Sequence, residues 1–270
     1  MHHESNGGRL LNEALARRGI RRILIDELHT ISRHDHTASM ATYSDALAAV
    51  PDVLSRLVAQ VRNRGHPLPQ ILGFSSTIPP AAVPHVRSRA QMASGARVVR
   101  CAIDRPELVF VRLPLPVRFR ESFVCWTQRI LDHLSSNAPL WALTGRLVIF
   151  CPTARTARCA AHNTHIKLPS GGQRRNFVYL GVSKMTPAQR SAAIDAFGRS
   201  PGAVLFTNEA WSHGSGKPDI TMVGHLSLAK GPVEQFQRSG RGARERGEKA
   251  LVVHVLSTAR RRASSISCKS

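Results

Sequence analysis

Five apolar residues in unbroken succession, Leu147-Val148-Ile149-Phe150-Cys151, set the tightest limit on how this chain folds. A strand apolar on both faces has to be covered on both sides, as in the middle of a parallel sheet flanked by helices. Shorter apolar runs recur at Ile23–Ile25 (closing at Asp26), Gln70–Phe74, Leu108–Arg112, Ala203–Phe206, Ile220–Val223 and Leu251–Val255. Helical signals fall between them. Pro51 to Arg64 has proline in its first turn, Val53, Leu54, Leu57, Val58 and Val61 on one face, and Gly65 as a stop. Thr186-Pro187-Ala188-Gln189 combines an N-cap, a proline at the first helical position and a capping-box glutamine. That helix is expected to reach Gly198 and to bury Ala192, Ile194 and Phe197, and another should run from Pro232 into Gln237. A proline-broken helix leads to an apolar run at Arg97–Ala102, and Lys167–Asn176 reads as a basic, glycine-containing loop. Alternation of this kind predicts an α/β chain with parallel sheet. The proline-spaced segments Asp104-Arg105-Pro106 and Leu113-Pro114-Leu115-Pro116 mark a border, giving units 1–104 and 105–257 and a disordered basic tail, 258–270.

The 270 residues carry 38 Lys and Arg against 17 Asp and Glu, a formal charge of +21. Such a charge draws polyanions, nucleic acid first, unless it is only a solvated basic surface. No apolar run approaches the ~20 residues that span a bilayer, and the start, Met1-His2-His3-Glu4, lacks a secretory pattern. Cys101, Cys125, Cys151, Cys159 and Cys268 are odd in number and lack C-x-x-C spacing, which speaks against a zinc site or disulfide framework. A reducing compartment is expected, nucleus or cytoplasm, with Cys151 on a buried strand.

Two stretches carry chemistry. Asp26-Glu27 closes an apolar strand, where ligands meet open parallel sheets, so Asp26 is a candidate Mg²⁺ holder through water and Glu27 a candidate for orienting water. A surface turn at a strand end produces the same pair. Gln237-Arg238-Ser239-Gly240-Arg241-Gly242-Ala243-Arg244 offers guanidinium groups, which keep their charge and donate in a planar fork to phosphate oxygens. Alone, it also reads as a basic, glycine-flexed surface turn. His34-Asp35-His36 lacks a further pair spaced to complete a zinc site and reads as a polar loop.

Asp26-Glu27-Leu28-His29-Thr30-Ile31-Ser32 resembles motif II of RecQ-type DNA helicases, and other segments follow in the family's order. Phe74-Ser75-Ser76-Thr77 resembles motif III, Arg105-Pro106-Glu107-Leu108 the opening of the second lobe, and Leu147–Pro152 motif IV. Thr207-Asn208-Glu209-Ala210 through Gly214, with Lys217-Pro218-Asp219-Ile220, resembles motif V, and Gln237–Arg244 motif VI. The resemblance covers most of the chain and implies two RecA-like parallel-sheet lobes, the first incomplete. It implies an ATP- and Mg²⁺-dependent motor moving 3′ to 5′ on single-stranded or forked DNA. Catalytic roles are implied for Asp26, Glu27, His29, Arg241 and Arg244, and ATP contacts for Gln237, Gly240, Arg241 and Arg244. Ser75, Thr77, Thr153, Thr207 and Lys217 are the positions implied to meet nucleic acid.

The departures from the family carry weight. No segment reads G-x-x-x-x-G-K-[ST]; at Gly214-Ser215-Gly216-Lys217-Pro218 the first glycine is Trp211, and Pro218 has no N–H for a phosphate. The aromatic-rich loop after motif II reads Arg33-His34-Asp35-His36-Thr37-Ala38-Ser39, motif V has Gly216 where the family has aspartate, and motif VI has Ala243 for its last glycine. An N-terminally truncated motor is expected, with weak or no ATP binding and an apolar sheet edge in the first lobe open to a protein partner. A non-enzymatic nucleic-acid-binding remnant is the alternative, and a DEAD-box-like RNA helicase the third reading.

Overall fold

The computed structural model describes residues 20–26, 28, 50–75, 78–100, 104–118, 120–166, 171–181, 183–208, 211, 219–229, 231–245 and 247–256. The chain divides into two compact units, Met1–Ile103 and Asp104–Ser270. The expected basic tail and the His34-Asp35-His36 loop lie outside the described residues.

In the first unit, β1 (Arg22–Ile25) pairs in parallel with β2 (Gln70–Gly73), Arg22 opposite Gln70 and Ile25 opposite Gly73. The ladder continues past the strands, Phe74 N–H donating to the Ile25 carbonyl and Leu28 N–H to that of Phe74, both at 2.8 Å. Helix α1 (Val50–Asn63) connects the strands and buries Leu54, Leu57 and Val61, the last two against Ile20 and Ile23. The sequence put Val53 and Val58 on that face as well. Val53 is exposed and Val58 half-buried, because at about 100° per residue Val53 lies a quarter-turn off the Leu54–Leu57–Val61 line. Gly65, at φ +70°, ends the helix in the left-handed region that favours glycine. A short turn, Pro80–Ala82, precedes α2 (Val83–Arg89), whose Val86 packs with Leu28 and Ala90. Residues 97–100 form neither helix nor strand, and Val98 and Val99 are exposed. Leu24 on β1 is 65% exposed, and among the described residues β1 pairs only with β2.

The second unit is built on a six-stranded, all-parallel sheet in the order β3-β8-β7-β4-β6-β5. The strands are β3 (Leu108–Pro114), β4 (Arg146–Phe150), β5 (Asn176–Tyr179), β6 (Val204–Thr207), β7 (Ile220–His225) and β8 (Ala250–Leu256). The apolar run at 147–151 is buried throughout, and Cys151 with it. Leu147 and Ile149 join a core on one face; Val148 and Phe150 join the core on the other. The Leu108–Arg112 run, read as a strand, forms the edge strand β3.

Helix α3 (Phe123–Asn137) covers the first face. Its Ser122 cap accepts from Cys125 N–H, and Phe123, Trp126, Ile130, Leu131 and Leu134 recur at helical spacing on its buried side. Helices α4 (Leu140–Thr144) and α5 (Ala154–Asn163) add Ala142, Leu143, Ala157 and Ala160, small residues that let α5 approach the sheet closely. On the other face lies α6 (Pro187–Arg199), capped as the sequence predicts: Thr186 Oγ1 accepts from Gln189 N–H, and Gln189 Oε1 accepts from Thr186 N–H at 2.8 Å. Ile194 and Phe197 are buried, but Ala192, expected to be, is exposed because it sits on the opposite side of the helix from Phe197. Between β4 and β7 the register slips by one residue, Arg146 facing Ile220 while Leu147 faces Met222. The bulge turns Ile220 to one core and Met222 to the other. Helix α7 (Pro232–Ser239) connects β7 to β8.

Candidate functional site

In the first unit Asp26 is exposed at the carboxyl end of β1, and Ser75 is half-buried just past β2. Glu27, His29 and Thr77 lie outside the described residues. A Mg²⁺–triphosphate group needs several oxygen ligands and a nest of backbone N–H donors. The described donors do not meet that need: no group of three or more His, Cys, Asp or Glu able to hold a metal occurs among the described residues. The arrangement there is one carboxylate at a strand end.

The second unit holds the rest, at two separate ends of one sheet. At the carboxyl ends, Thr153 caps α5: its Oγ1 accepts from Thr156 N–H at 3.1 Å, and Thr156 Oγ1 accepts from Thr153 N–H at 3.0 Å. Thr207 is fully buried, its hydroxyl donating to the Tyr179 carbonyl at 2.8 Å, so it ties β6 to β5. Lys217 lies outside the described residues.

The arginine-rich turn lies at the amino ends, because Ala243 N–H bonds the carbonyl of Ile220, the first residue of β7. Since β7 advances about 3.3 Å per residue, this turn and the strand-end threonines are separated by roughly 15 Å of sheet. Helix α7 positions the turn. Glu234 and Arg238, one helical turn apart, form a buried ion pair at 2.7 Å, and the Arg238 guanidinium lies 5.2 Å from the Phe150 ring centroid. Gln237 and Arg241 are buried on the same helix end, Gly240 N–H closes it on the Phe236 carbonyl, and Arg244 is exposed with Nε 3.3 Å from the Gly240 carbonyl.

Beyond the helix the backbone turns sharply, with Ala243 at φ +49°. Arg105 holds that turn: its Nη2 donates to the carbonyls of Gly242 at 3.2 Å and Ala243 at 2.7 Å, while its Nε pairs with Glu107. Glu107 in turn offers its backbone carbonyl to Ala250 N–H, so the start of the unit, the turn and the start of β8 are one bonded assembly. Gly242 fits where a side chain would not, since a Cβ there would lie 2.5 Å from Ala250 Cβ. On the other side of the turn, Glu248 accepts from Asp219 N–H at 2.7 Å.

A histidine pair behind α7, His225 buried and His254 half-buried, was not read from the sequence. His225 stacks on Phe150 (5.4 Å, 9°) and meets His254 edge-on at 4.8 Å. Its Nε2 lies 3.3 Å from Ser239 Oγ, and His254 Nε2 lies 3.2 Å from Gln235 Nε2. Burial first, then the nearby His254 and Arg238 charges, push the His225 pKa well below its ordinary value of 6.5. His254 is lowered by burial and by Arg112. These partners come from strands and a helix far apart in the chain, and the i,i+4 spacing of Glu234 and Arg238 is a local signal that points to that helix.

Residues 129–246 match the family of the helicase conserved C-terminal domain. No curated protein matches the chain in sequence. Among solved structures the chain is similar to S. cerevisiae Dbp5 bound to RNA and ADP BeF3, at 18% identity and a TM-score of 0.62, covering 93% of this chain and 58% of that one. Mss116p bound to ssRNA and AMP-PNP is similar at 12% identity and TM-score 0.61, over 93% of this chain and 46% of that one. The DUF1998 helicase MrfA bound to DNA and AMPPNP is similar at 17% identity and TM-score 0.59, over 89% of this chain and 31% of that one. The chain thus spans less than two-thirds of the length of these proteins. The fold is α/β, parallel-sheeted and RecA-like, as the sequence predicts. The family match falls within the second unit, and the solved structures share the RecA-like fold.

Proposed function

We propose that this chain is a RecQ-type helicase polypeptide that binds single-stranded or forked DNA, its first unit a partial first lobe and its second the C-terminal lobe. The observation that carries the reading is the Gln237–Arg244 turn: a buried, ion-paired helix delivers Arg241 and Arg244 to a backbone clamped by Arg105. A turn fixed by carbonyl contacts holds guanidinium groups at constant spacing, which recognition of phosphate charge requires. The ordered motifs from Asp26 to Arg244 and the charge of +21 support the same partner. So does the nucleic acid bound in the similar structures, RNA with Dbp5 and DNA with MrfA.

The 270 residues contain no G-x-x-x-x-G-K-[ST] segment, so the polypeptide by itself binds nucleic acid without turning over ATP at an ordinary helicase rate. Asp26 and Glu27 of the first unit are the residues proposed for Mg²⁺ and water, and Arg241 and Arg244 of the second those proposed to meet phosphate charge, each within its own unit. The test combines phosphate release, with and without single-stranded DNA, and binding to labelled DNA and RNA of one sequence. Binding that favours single-stranded DNA, with background turnover, is expected. Ordinary turnover abolished by Glu27→Gln would overturn the inactive-motor part, and tighter binding to duplex RNA would replace the RecQ-type reading with a DEAD-box-like one.

A further inference from the structure

The sheet of the second unit ends at β5, which pairs only with β6 among the described residues, and two grooves flank this edge strand. Neither belongs to the motifs already described. The first, of about 400 Å³, has an apolar floor of Val178, Met185 and Ala192 and a wall carrying the cations Arg158 and Lys184 beside His162. The second, of about 490 Å³, sets the Phe177 ring and Ala196 beside Arg175 and Arg199. Phe177 and Val178 are neighbours on a strand and face opposite sides of the sheet, Phe177 against the α6 core and Val178 against the α5 core. Both grooves border the β5 edge and α6, the first between α6 and α5 beside Val178 and the second beside Phe177.

The charge around this edge is one-sided. From residue 154 to 199 the chain has eight Lys and Arg (155, 158, 167, 174, 175, 184, 190 and 199) and one acid, Asp195. Arg158 is held in place by a 2.8 Å bond from Nη2 to the Lys184 carbonyl, leaving its remaining N–H groups available. Neither it nor Lys184, Arg175 or Arg199 meets a carboxylate among the described residues. Gln189 spends its oxygen on the α6 cap, so its amide N–H groups remain as donors at the rim of the first groove.

Cations that are not neutralised, alternating with apolar and aromatic floors of about one nucleotide's size, are what a single strand needs: charge for the phosphates and flat or polarisable surface for the bases. An acidic peptide would use the charge but not the floors. We propose that the β5 edge is a second nucleic-acid site, along which a single strand passes from one groove to the next. One base rests over Val178 and Met185 with its phosphate on Arg158 and Lys184; the next rests beside Phe177 with its phosphate on Arg175 and Arg199. The identity of the ligand rests on the nucleic-acid reading above; the grooves and their charge stand apart from it.

The test is fluorescence anisotropy of the full chain with a labelled oligo-dT, from 50 to 200 mM salt. The wild type is compared with Arg158→Gln/Lys184→Gln, Arg175→Gln/Arg199→Gln, and the charge-matched control Arg56→Gln/Arg62→Gln on α1. Each groove variant should flatten the log–log salt slope by about 1.4, two single-strand phosphate contacts at roughly 0.7 each, with the control unchanged. A further variant, Ala192→Glu, sets a carboxylate on an exposed helical position in the first groove and should weaken binding at least tenfold, while Ala192→Gln should not. Wild-type binding with equal slopes in all variants overturns the edge site alone. Failure of the wild type to bind oligo-dT overturns the proposed function, and this ligand with it. Preference for a poly-glutamate peptide that oligo-dT cannot displace reassigns the edge to an acidic protein and also overturns the proposal.

Discussion

Replacing Gly242 with alanine isolates what the arginine-rich turn requires. An added Cβ would meet Ala250 Cβ at 2.5 Å and Val223 Cγ2 at 3.3 Å. The nearer contact is with an atom fixed to the backbone of β8, so no rotamer change relieves it; the turn or the strand has to move. Overpacking of this kind costs about 1–3 kcal/mol. At roughly 2–4 °C per kcal/mol for a unit of this size, the midpoint of thermal unfolding should fall by about 2–12 °C. The assay is clean, because Trp126, Trp141 and Trp211 all belong to the second unit and their fluorescence reports its unfolding. Gly240 provides the contrast within the same motif. Its φ is −67°, which any residue adopts, and the nearest atom to an added Cβ is the Phe236 carbonyl oxygen at 3.4 Å. Gly240→Ala should therefore leave the midpoint within about 2 °C, or raise it slightly by restricting the unfolded chain. Equal effects of the two substitutions would refute the packing argument, since it rests on the difference between 2.5 and 3.4 Å.

Other substitutions test neighbouring parts. Arg105→Gln removes the donors to Gly242 and Ala243, so amide exchange at Ala243, bonded to Ile220, should accelerate at least tenfold while amides in the middle of β4 keep their protection. Glu234→Gln takes the charge from a buried ion pair and should cost about 3 kcal/mol by urea unfolding, with part of the loss recovered when Arg238→Leu is combined with Glu234→Leu. His225 stays neutral in the fold while the unfolded chain takes up a proton below its ordinary value of 6.5. Stability is therefore complete above that value and declines as pH falls through 6.5 toward 5, by up to ~1.4 kcal/mol per pH unit. The hydrogen bond from Arg129 lowers the Glu121 carboxyl, which acts only below its ordinary 4.5, so urea midpoints between pH 7.5 and 5.5 report the histidines; His225→Gln should flatten that dependence. Burial pushes the Cys151 thiol far up, so alkylation of native protein should label the exposed Cys125 and spare Cys151.

The sheet was legible because its strands announce themselves locally. A continuous apolar run such as Leu147–Cys151 has few other places to go, and Thr186-Pro187-Gln189 states a helix start in four residues. Helix α3 carries an equally readable signal, Ser122 before Phe123, Trp126, Ile130 and Leu134, closed by Ser135-Ser136-Asn137 and Pro139. Helix α5 was harder, because its buried positions are alanines and its cap pairs two threonines rather than Thr with Glu or Gln. The motif arginines were visible as a pattern, but their anchoring was not: Arg105 and Gly242 are joined across 137 residues, and no local rule links them. The edge grooves were missed for a related reason. Their charges come from α5, β5, the following loop and α6, and become one patch only after folding.

Gln235 has a consequence for proton placement. Its side-chain oxygen accepts from Ala229 N–H, so its amide can only donate to His254 Nε2, and the His254 proton resides on Nδ1. Ser239 gives its single hydroxyl hydrogen to the Gln235 carbonyl, so His225 must present Nε2–H to the Ser239 oxygen. Two imidazoles in edge contact thus adopt opposite tautomers, both dictated by one glutamine. Nitrogen chemical shifts would display this as a crossed pair of ring signals, and a proton arriving at His254 would dislodge that glutamine and free the backbone at Ala229.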